Sequence, residues 1–197
     1  KSADIMIALD ISNSMLAEDV YPSRLELAKS KILEFLDISE VERIGVMAFA
    51  KDAYLVSPLS FDHRAVKFLT KQLQPSSMTE RGTNFRQLLD VSANMMKDNE
   101  NKYLFIFTDG GDQEEFSQEI SLAKEHNIKV FILALGTLKG APIKSENGFI
   151  QYQGSIVITK LNDTIAELAT QTDGAYIQNV TSNEDIYAML GEIKNRT

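Results

Sequence analysis

Apolar runs alternate with amphipathic stretches along the whole chain. Ile5-Met6-Ile7-Ala8-Leu9 is uninterrupted and closed by Asp10, which predicts a strand over 4–10 buried on both faces. Pro22 and Ser23 then open a helix, Pro being suited to a first turn, with Leu25, Ala28, Ile32 and Leu36 on its apolar face. The runs 43–49 and 53–59 are parted by Lys51-Asp52 and predict a hairpin. Helical spacing returns near 62–73, with Ala65, Val66, Leu69 and Leu73 on one side. A polar loop follows over 74–81. The next helix begins after Thr83-Asn84 and runs through Phe85, Leu88, Leu89 and Ser92 to Met95 and Met96, two methionines placed at the core and its edge.

Beyond this, 102–108 and 128–135 read as buried strands and 114–126 as the helix between them. The spacing predicts a helix over 161–172, a strand over 174–180 and a last helix over 183–194, with Ile186, Met189, Leu190 and Ile193 facing the core. The segment 139–158 breaks the rhythm. Gly140, Pro142, Gly148 and Gly154 separate short alternating stretches, as in a hairpin-like excursion. Strands alternating with helices define the class as α/β. The expected architecture is a Rossmann-like, doubly wound, mostly parallel sheet with one antiparallel edge strand and helices on both faces. Residues 1–197 read as a single domain.

Composition narrows the chemistry. The chain has 197 residues, 44% of them hydrophobic and 24% charged, with a net charge of −8. That balance argues against a nucleic-acid binder, which wants a basic stripe, and against electrostatic attachment to anionic lipid. There is no cysteine, so disulfides, thiolate catalysis and zinc–sulfur sites are excluded. No apolar run approaches the roughly 20 residues of a membrane helix, and no signal peptide is recognised. The first strand starts almost at once after Lys1, without an initiator Met, so the sequence reads as a domain excised from a longer protein.

Two of the predicted strands end in oxygen-rich loops. One is Asp10-Ile11-Ser12-Asn13-Ser14, whose carboxylate and two hydroxyls stand at alternate positions and share a face in extended backbone. The other is Thr108-Asp109-Gly110-Gly111-Asp112. Between them in sequence, Arg81-Gly82-Thr83-Asn84 precedes a helix and offers another hydroxyl. In open α/β sheets ligands bind beyond the C-terminal ends of strands, where strand order reverses. Hard oxygen donors from three loops suit a divalent cation. Ser12, Ser14 and Thr83 are equally suited, one by one, to helix capping. Asp112 and Glu114 fit the first turn of the following helix through its dipole. His126 fits a helix C-terminus, and His63 has no acid–base partner in sequence.

Taken together, Asp10-x-Ser12-x-Ser14, Thr83 and Asp109 resemble the metal-ion-dependent adhesion site of von Willebrand factor A (VWA) domains. Leu9 to Asp19, Pro22-Ser23-Arg24-Leu25 and Gly136-Thr137 leading to Gly140-Ala141-Pro142-Ile143 are most similar to bacterial aerotolerance-type (Bat) VWA proteins. The resemblance implies a Mg²⁺ touched by Ser12, Ser14 and in some members Thr83, with Asp10 and Asp109 acting partly through water. Mn²⁺ would also fit, and Ca²⁺ fits less well because dedicated calcium sites supply more oxygens. It implies a protein partner that gives an Asp or Glu to the metal, such as a MoxR-type AAA+ ATPase or a sister VWA protein. It also implies flanking membrane anchors that place the domain in the periplasm, and a last helix able to shift on binding.

Two functions of different class follow, beside a third reading as a purely structural domain with an empty site. One is a non-enzymatic, metal-dependent protein-binding module. The other is a Mg²⁺-dependent phosphohydrolase on the same fold. Against the second, Ser12 stands where haloacid dehalogenase-type phosphatases need a second Asp, and there is no phosphate-binding Gly-x-x-x-x-Gly-Lys loop.

Overall fold

The computed structural model describes residues 3–76 and 82–197. The end of the predicted polar loop, including Arg81, therefore lies outside the described residues. Six strands form one sheet: β1 (Asp4–Asp10), β2 (Arg43–Phe49), β3 (Ala53–Ser60), β4 (Lys102–Thr108), β5 (Ile128–Ala134) and β6 (Ala175–Gln178). Their order is β6-β5-β4-β1-β2-β3. All neighbours are parallel except β2 and β3, the hairpin that supplies the antiparallel edge. The order reverses at β1, which lies between β2 and β4, so the switch point falls where β1 and β4 end side by side.

Among the described residues, six α-helices cover the sheet: α1 (Arg24–Ile38), α2 (His63–Lys71), α3 (Phe85–Met95), α4 (Ser117–Glu125), α5 (Ala166–Thr170) and α6 (Glu184–Lys194). Odd positions of β1 (Ile5, Ile7, Leu9) pack against α1 and α6, through Ile32, Phe35, Ile186 and Met189. Even positions (Met6, Ala8) face α3, α4 and α5. The continuous apolar runs of the central strands thus serve two cores, one on each face. Lys31 of α1 and Asp185 of α6 form a buried ion pair at 2.7 Å, and Lys31 also donates to the carbonyls of Val180 and Ser182. This joins the start of the last helix to the first.

Several boundaries differ from the sequence reading, each because of a particular contact. Ser23, not Pro22, caps α1: its hydroxyl accepts from the Glu26 amide, and Pro22 precedes the helix. On α2 the buried positions are Val66 and Thr70, while Ala65 is exposed and Asp62 is the cap. Helix α4 starts at Ser117 rather than 114, because the buried Phe116 anchors the chain and the Glu115 carboxylate takes the Ser117 amide. The helix expected over 161–172 shrinks to a 3-10 turn and the short α5, since Asn162 is tied elsewhere. His126 does cap the C-terminus of α4. Both ring nitrogens of His63 lie against carbonyls, those of Leu36 and Glu42, in a structural role.

The excursion after β5 is more than a hairpin. Segments 141–145, 148–152 and 155–159 pair cyclically through three two-residue antiparallel ladders. At their centre the Ile150 amide donates to the Ile143 carbonyl, and the Val157 amide to the Ile150 carbonyl.

Candidate metal centre

Strand β1 delivers Asp10 to the switch point fully buried. Its Oδ1 accepts from the Ser12 amide at 2.9 Å and from the Ser12 hydroxyl at 2.5 Å. Its Oδ2 accepts from Thr108 Oγ1 at 2.6 Å, across from the end of β4. Thr108 in turn accepts from the Gly110 amide, which turns the chain after Asp109. Ser12 occupies the N-cap position of the 3-10 turn Asn13–Leu16, yet its side chain makes no capping bond. Its hydroxyl proton goes to Asp10 instead, which leaves its lone pairs available. Ser14 Oγ stands 3.4 Å from Ser12 Oγ.

Thr83 does not cap the following helix either. Asn84 does, accepting from the Gln87 amide, while its own amide reaches the Ala50 carbonyl. Thr83 is thereby brought beside the Asp109 loop. A side chain on Gly111 would lie 3.7 Å from the Thr83 hydroxyl. Ser12, Ser14 and Thr83 line one cavity of about 890 Å³, to which Asp112, Gln113 and Glu114 also contribute. These last residues lie ahead of α4, so the expected dipole role for Asp112 and Glu114 falls away and they become the rim of the site. The Asn13 amide oxygen, in the same loop, is buried with no hydrogen-bond partner among the described residues.

Asp109 is held differently from Asp10. Its Oδ1 accepts from the Gly111 amide at 3.0 Å and its Oδ2 from Arg24 Nη1 at 3.0 Å. Arg24 is the residue that the sequence reading missed. It is completely buried and forms a second, two-pronged pair with Asp19, at 2.8 and 2.7 Å. It also donates to the Thr159 carbonyl, and its guanidinium lies so close to Gly136 that any side chain there would collide. One signal was available in the sequence. A cation in the first turn of a helix opposes the helix dipole, so Arg24 needed carboxylates nearby.

The electrostatics separate the acidic groups. Burial, and then the charge of Asp109, push Asp10 from 3.8 up to about 7, against the pull of its bonds from Ser12 and Thr108. Burial would also raise Asp19, but the Arg24 guanidinium and then Thr137 outweigh it and hold Asp19 below its ordinary value. Arg24 thus compensates Asp19 and Asp109, and Asp10 is left without a cation of its own. Among the described residues no three His, Cys, Asp or Glu side chains form a metal cluster. The donors that converge here are two carboxylates and neutral hydroxyls, hard oxygens that fit a small divalent cation.

Two predictions follow from these charges. The unfolded chain ionises Asp10 near its ordinary value, whereas the folded chain resists until about 7. Stability from this group is therefore present at acid pH and lost as pH rises through about 7. The Asp19 contribution runs the other way and lies in a separate, more acidic window. In EDTA, the thermal midpoint should fall between about pH 5 and about pH 7.5, and Asp10→Asn should flatten that decline. Separately, Arg24→Ala strands two buried carboxylates and should cost about 3–5 kcal/mol in urea denaturation, with Arg24→Lys recovering only part, since an ammonium cannot span the same acceptors.

Comparison with known proteins agrees with this architecture. The family model for the von Willebrand factor type A domain matches residues 5–112. An aerotolerance-related membrane protein from Bacteroides fragilis is 34% identical, with a TM-score of 0.89 over 99% of this chain and 100% of that one. BatB from Bacteroides thetaiotaomicron is 31% identical, with a TM-score of 0.89 over 99% of this chain and 98% of its own. An uncharacterized protein of Borreliella burgdorferi is 32% identical over 184 residues, which is 88% of this chain and 53% of that protein. The chain thus spans about half the length of that relative. The matched family model, the paired Asp10 and Asp109 loops and the switch-point sheet together make this chain a member of the von Willebrand factor type A domain family, similar to the Bat-type proteins.

Proposed function

We propose that the chain is a divalent-metal-dependent protein-binding module. Ser12, Ser14 and Thr83 would hold Mg²⁺, with Asp10 and Asp109 supporting it, and a carboxylate from a partner protein would complete the coordination. The observation that carries this reading is the placement of the Ser12 and Ser14 hydroxyls, 3.4 Å apart, with the Ser12 proton already given to Asp10. Mn²⁺ would suit the same donors.

The residues around the site favour capture of an anion over chemistry. Neutral hydroxyls contribute lone pairs but no charge. Arg24 offsets Asp109, so the loops present less negative charge than two free carboxylates would. A cation so held retains the Lewis acidity to take an external carboxylate as a ligand. Asp10, buried behind Ser12, orients that hydroxyl rather than facing the partner. A haloacid dehalogenase-type phosphohydrolase would need a second carboxylate two residues after Asp10, and Ser12 stands there.

The wider setting is part of the same proposal. The Bacteroides fragilis relative is described as a membrane protein, and the Borreliella relative is about twice as long as the matched region. Among the described residues no helix is long and apolar enough to cross a membrane. We place this domain within a longer protein, anchored by flanking segments and facing the periplasm. Its partner would be a MoxR-type AAA+ ATPase or a sister VWA protein offering an acidic side chain.

Titration calorimetry with Mg²⁺ tests the site. The parent chain should bind one ion, and Asp10→Ala and Ser14→Ala should lose binding while circular dichroism stays unchanged. Parental affinity in both folded variants would contradict the assignment.

A further inference from the structure

The cavity at the switch point is far larger than one carboxylate requires. About 890 Å³ is within the range that takes a multi-residue or drug-sized ligand. Its two ends differ in chemistry. One end carries the hydroxyls of Ser12, Ser14 and Thr83. The excursion lines the other with Ile143, Ile150, Val157 and Ile158, and Leu161 beyond the excursion also contributes. Ile143, Ile150 and Val157 are the three residues linked in series at the centre of the cyclic ladders, so the excursion brings these apolar lining residues together from its three segments. Ile158 remains 49% exposed within it.

The wall is fixed to the metal loops rather than loosely appended. The Thr159 carbonyl accepts from Arg24 at 2.8 Å, the same guanidinium that pairs with Asp109. The Asn162 amide donates to the Asp109 carbonyl at 2.8 Å, and its side-chain amide donates to the Gln113 carbonyl at 2.7 Å. The Thr137 hydroxyl donates to Asp19 and accepts from the Gly140 amide, fixing the start of the excursion. A ligand that reaches the hydroxyls from this cavity therefore also meets the apolar wall. An apolar surface continuous with a carboxylate-seeking end complements one kind of segment: an acidic residue with a bulky apolar residue close to it in sequence.

We infer that the excursion is the specificity element of the site, and that its partner presents an extended segment in which an Asp or Glu bound at Ser12, Ser14 and Thr83 is followed or preceded within a few residues by Leu, Ile or Phe seated on Ile143, Ile150, Val157 and Ile158. The inference rests on the metal-bridged reading above. It assigns the apolar wall half of the recognition and leaves the exposed Tyr152 and Phe149, outside the cavity, no part in it.

The test uses blocked pentapeptides, one with a central Glu among glycines and others with Leu at successive flanking positions. They are titrated into the 197-residue chain in Mg²⁺ and in EDTA. One Leu position should tighten Mg²⁺-dependent binding at least tenfold over the glycine peptide, consistent with burial of one such side chain. Ile158→Ser and Ile150→Ser should each remove that gain and leave the glycine peptide unaffected, whereas Tyr152→Ser should keep it. Equal, Mg²⁺-dependent affinity for all peptides would overturn the apolar wall and keep the metal reading. Failure of every peptide to respond to Mg²⁺ would overturn both, and Leu-peptide binding that persists in EDTA would overturn the coupling of the two ends.

Discussion

The buried guanidinium of Arg24 is the contact on which the rest of the site depends. From the first turn of α1 it reaches Asp19, Asp109 and the Thr159 carbonyl. Those three acceptors belong to three separate parts of the chain: the approach to α1, the loop after β4 and the neck of the excursion. A planar cation with five donors can hold all three at once, which a point charge on a flexible stem cannot. Gly136 leaves the space in which it sits. One side chain therefore ties the Asp109 loop to the base of the excursion, and Asn162 adds a second tie between them.

The same residue divides the charge of the site. Two carboxylates at adjacent strand ends would repel each other in a buried setting. Arg24 takes up Asp109, and Asp10 is left to raise its own proton affinity or to meet a cation. The hydroxyl chemistry of the loops agrees with the second outcome, because Ser12 directs its proton inward to Asp10. In this account protonation and cation binding are alternatives at one carboxylate. A site built largely from neutral donors gains less affinity for its ion and more attraction for an outside anion, as a bridging contact requires.

Much of this was legible in the sequence because periodicity and strand-end chemistry are local. The five parallel strands and the antiparallel hairpin edge follow from apolar runs, and the switch point follows from their alternation with helices. Asp10, Ser12, Ser14, Thr83 and Asp109 could be named since each ends or precedes a recognisable element. Arg24 could be suspected only of needing a nearby carboxylate from its place in a first turn; its role in the site stayed hidden, because its acceptors lie as far away as Thr159 and no periodic pattern links them. The late start of α4 was hidden because it turns on the burial of Phe116 and the Glu115 bond to the Ser117 amide, which periodicity does not register. The shortness of α5 was hidden because Asn162 is tied to the 110–113 loop through contacts some 50 residues apart in sequence. The cyclic pairing of 141–159 was reduced to a hairpin, since two-residue ladders are too short to leave an alternating signal.

The central claim is that the loops at the β1 and β4 ends converge on one divalent cation. Anomalous diffraction from crystals grown in Mn²⁺ addresses it most directly. The account predicts a single strong peak about 2.1–2.2 Å from the Ser12 and Ser14 hydroxyl oxygens, with Thr83 and Asp109 nearby and the Asp10 contact to Ser12 retained. A peak elsewhere, or Ser12 and Ser14 bonded only to protein in saturating Mn²⁺, would contradict it.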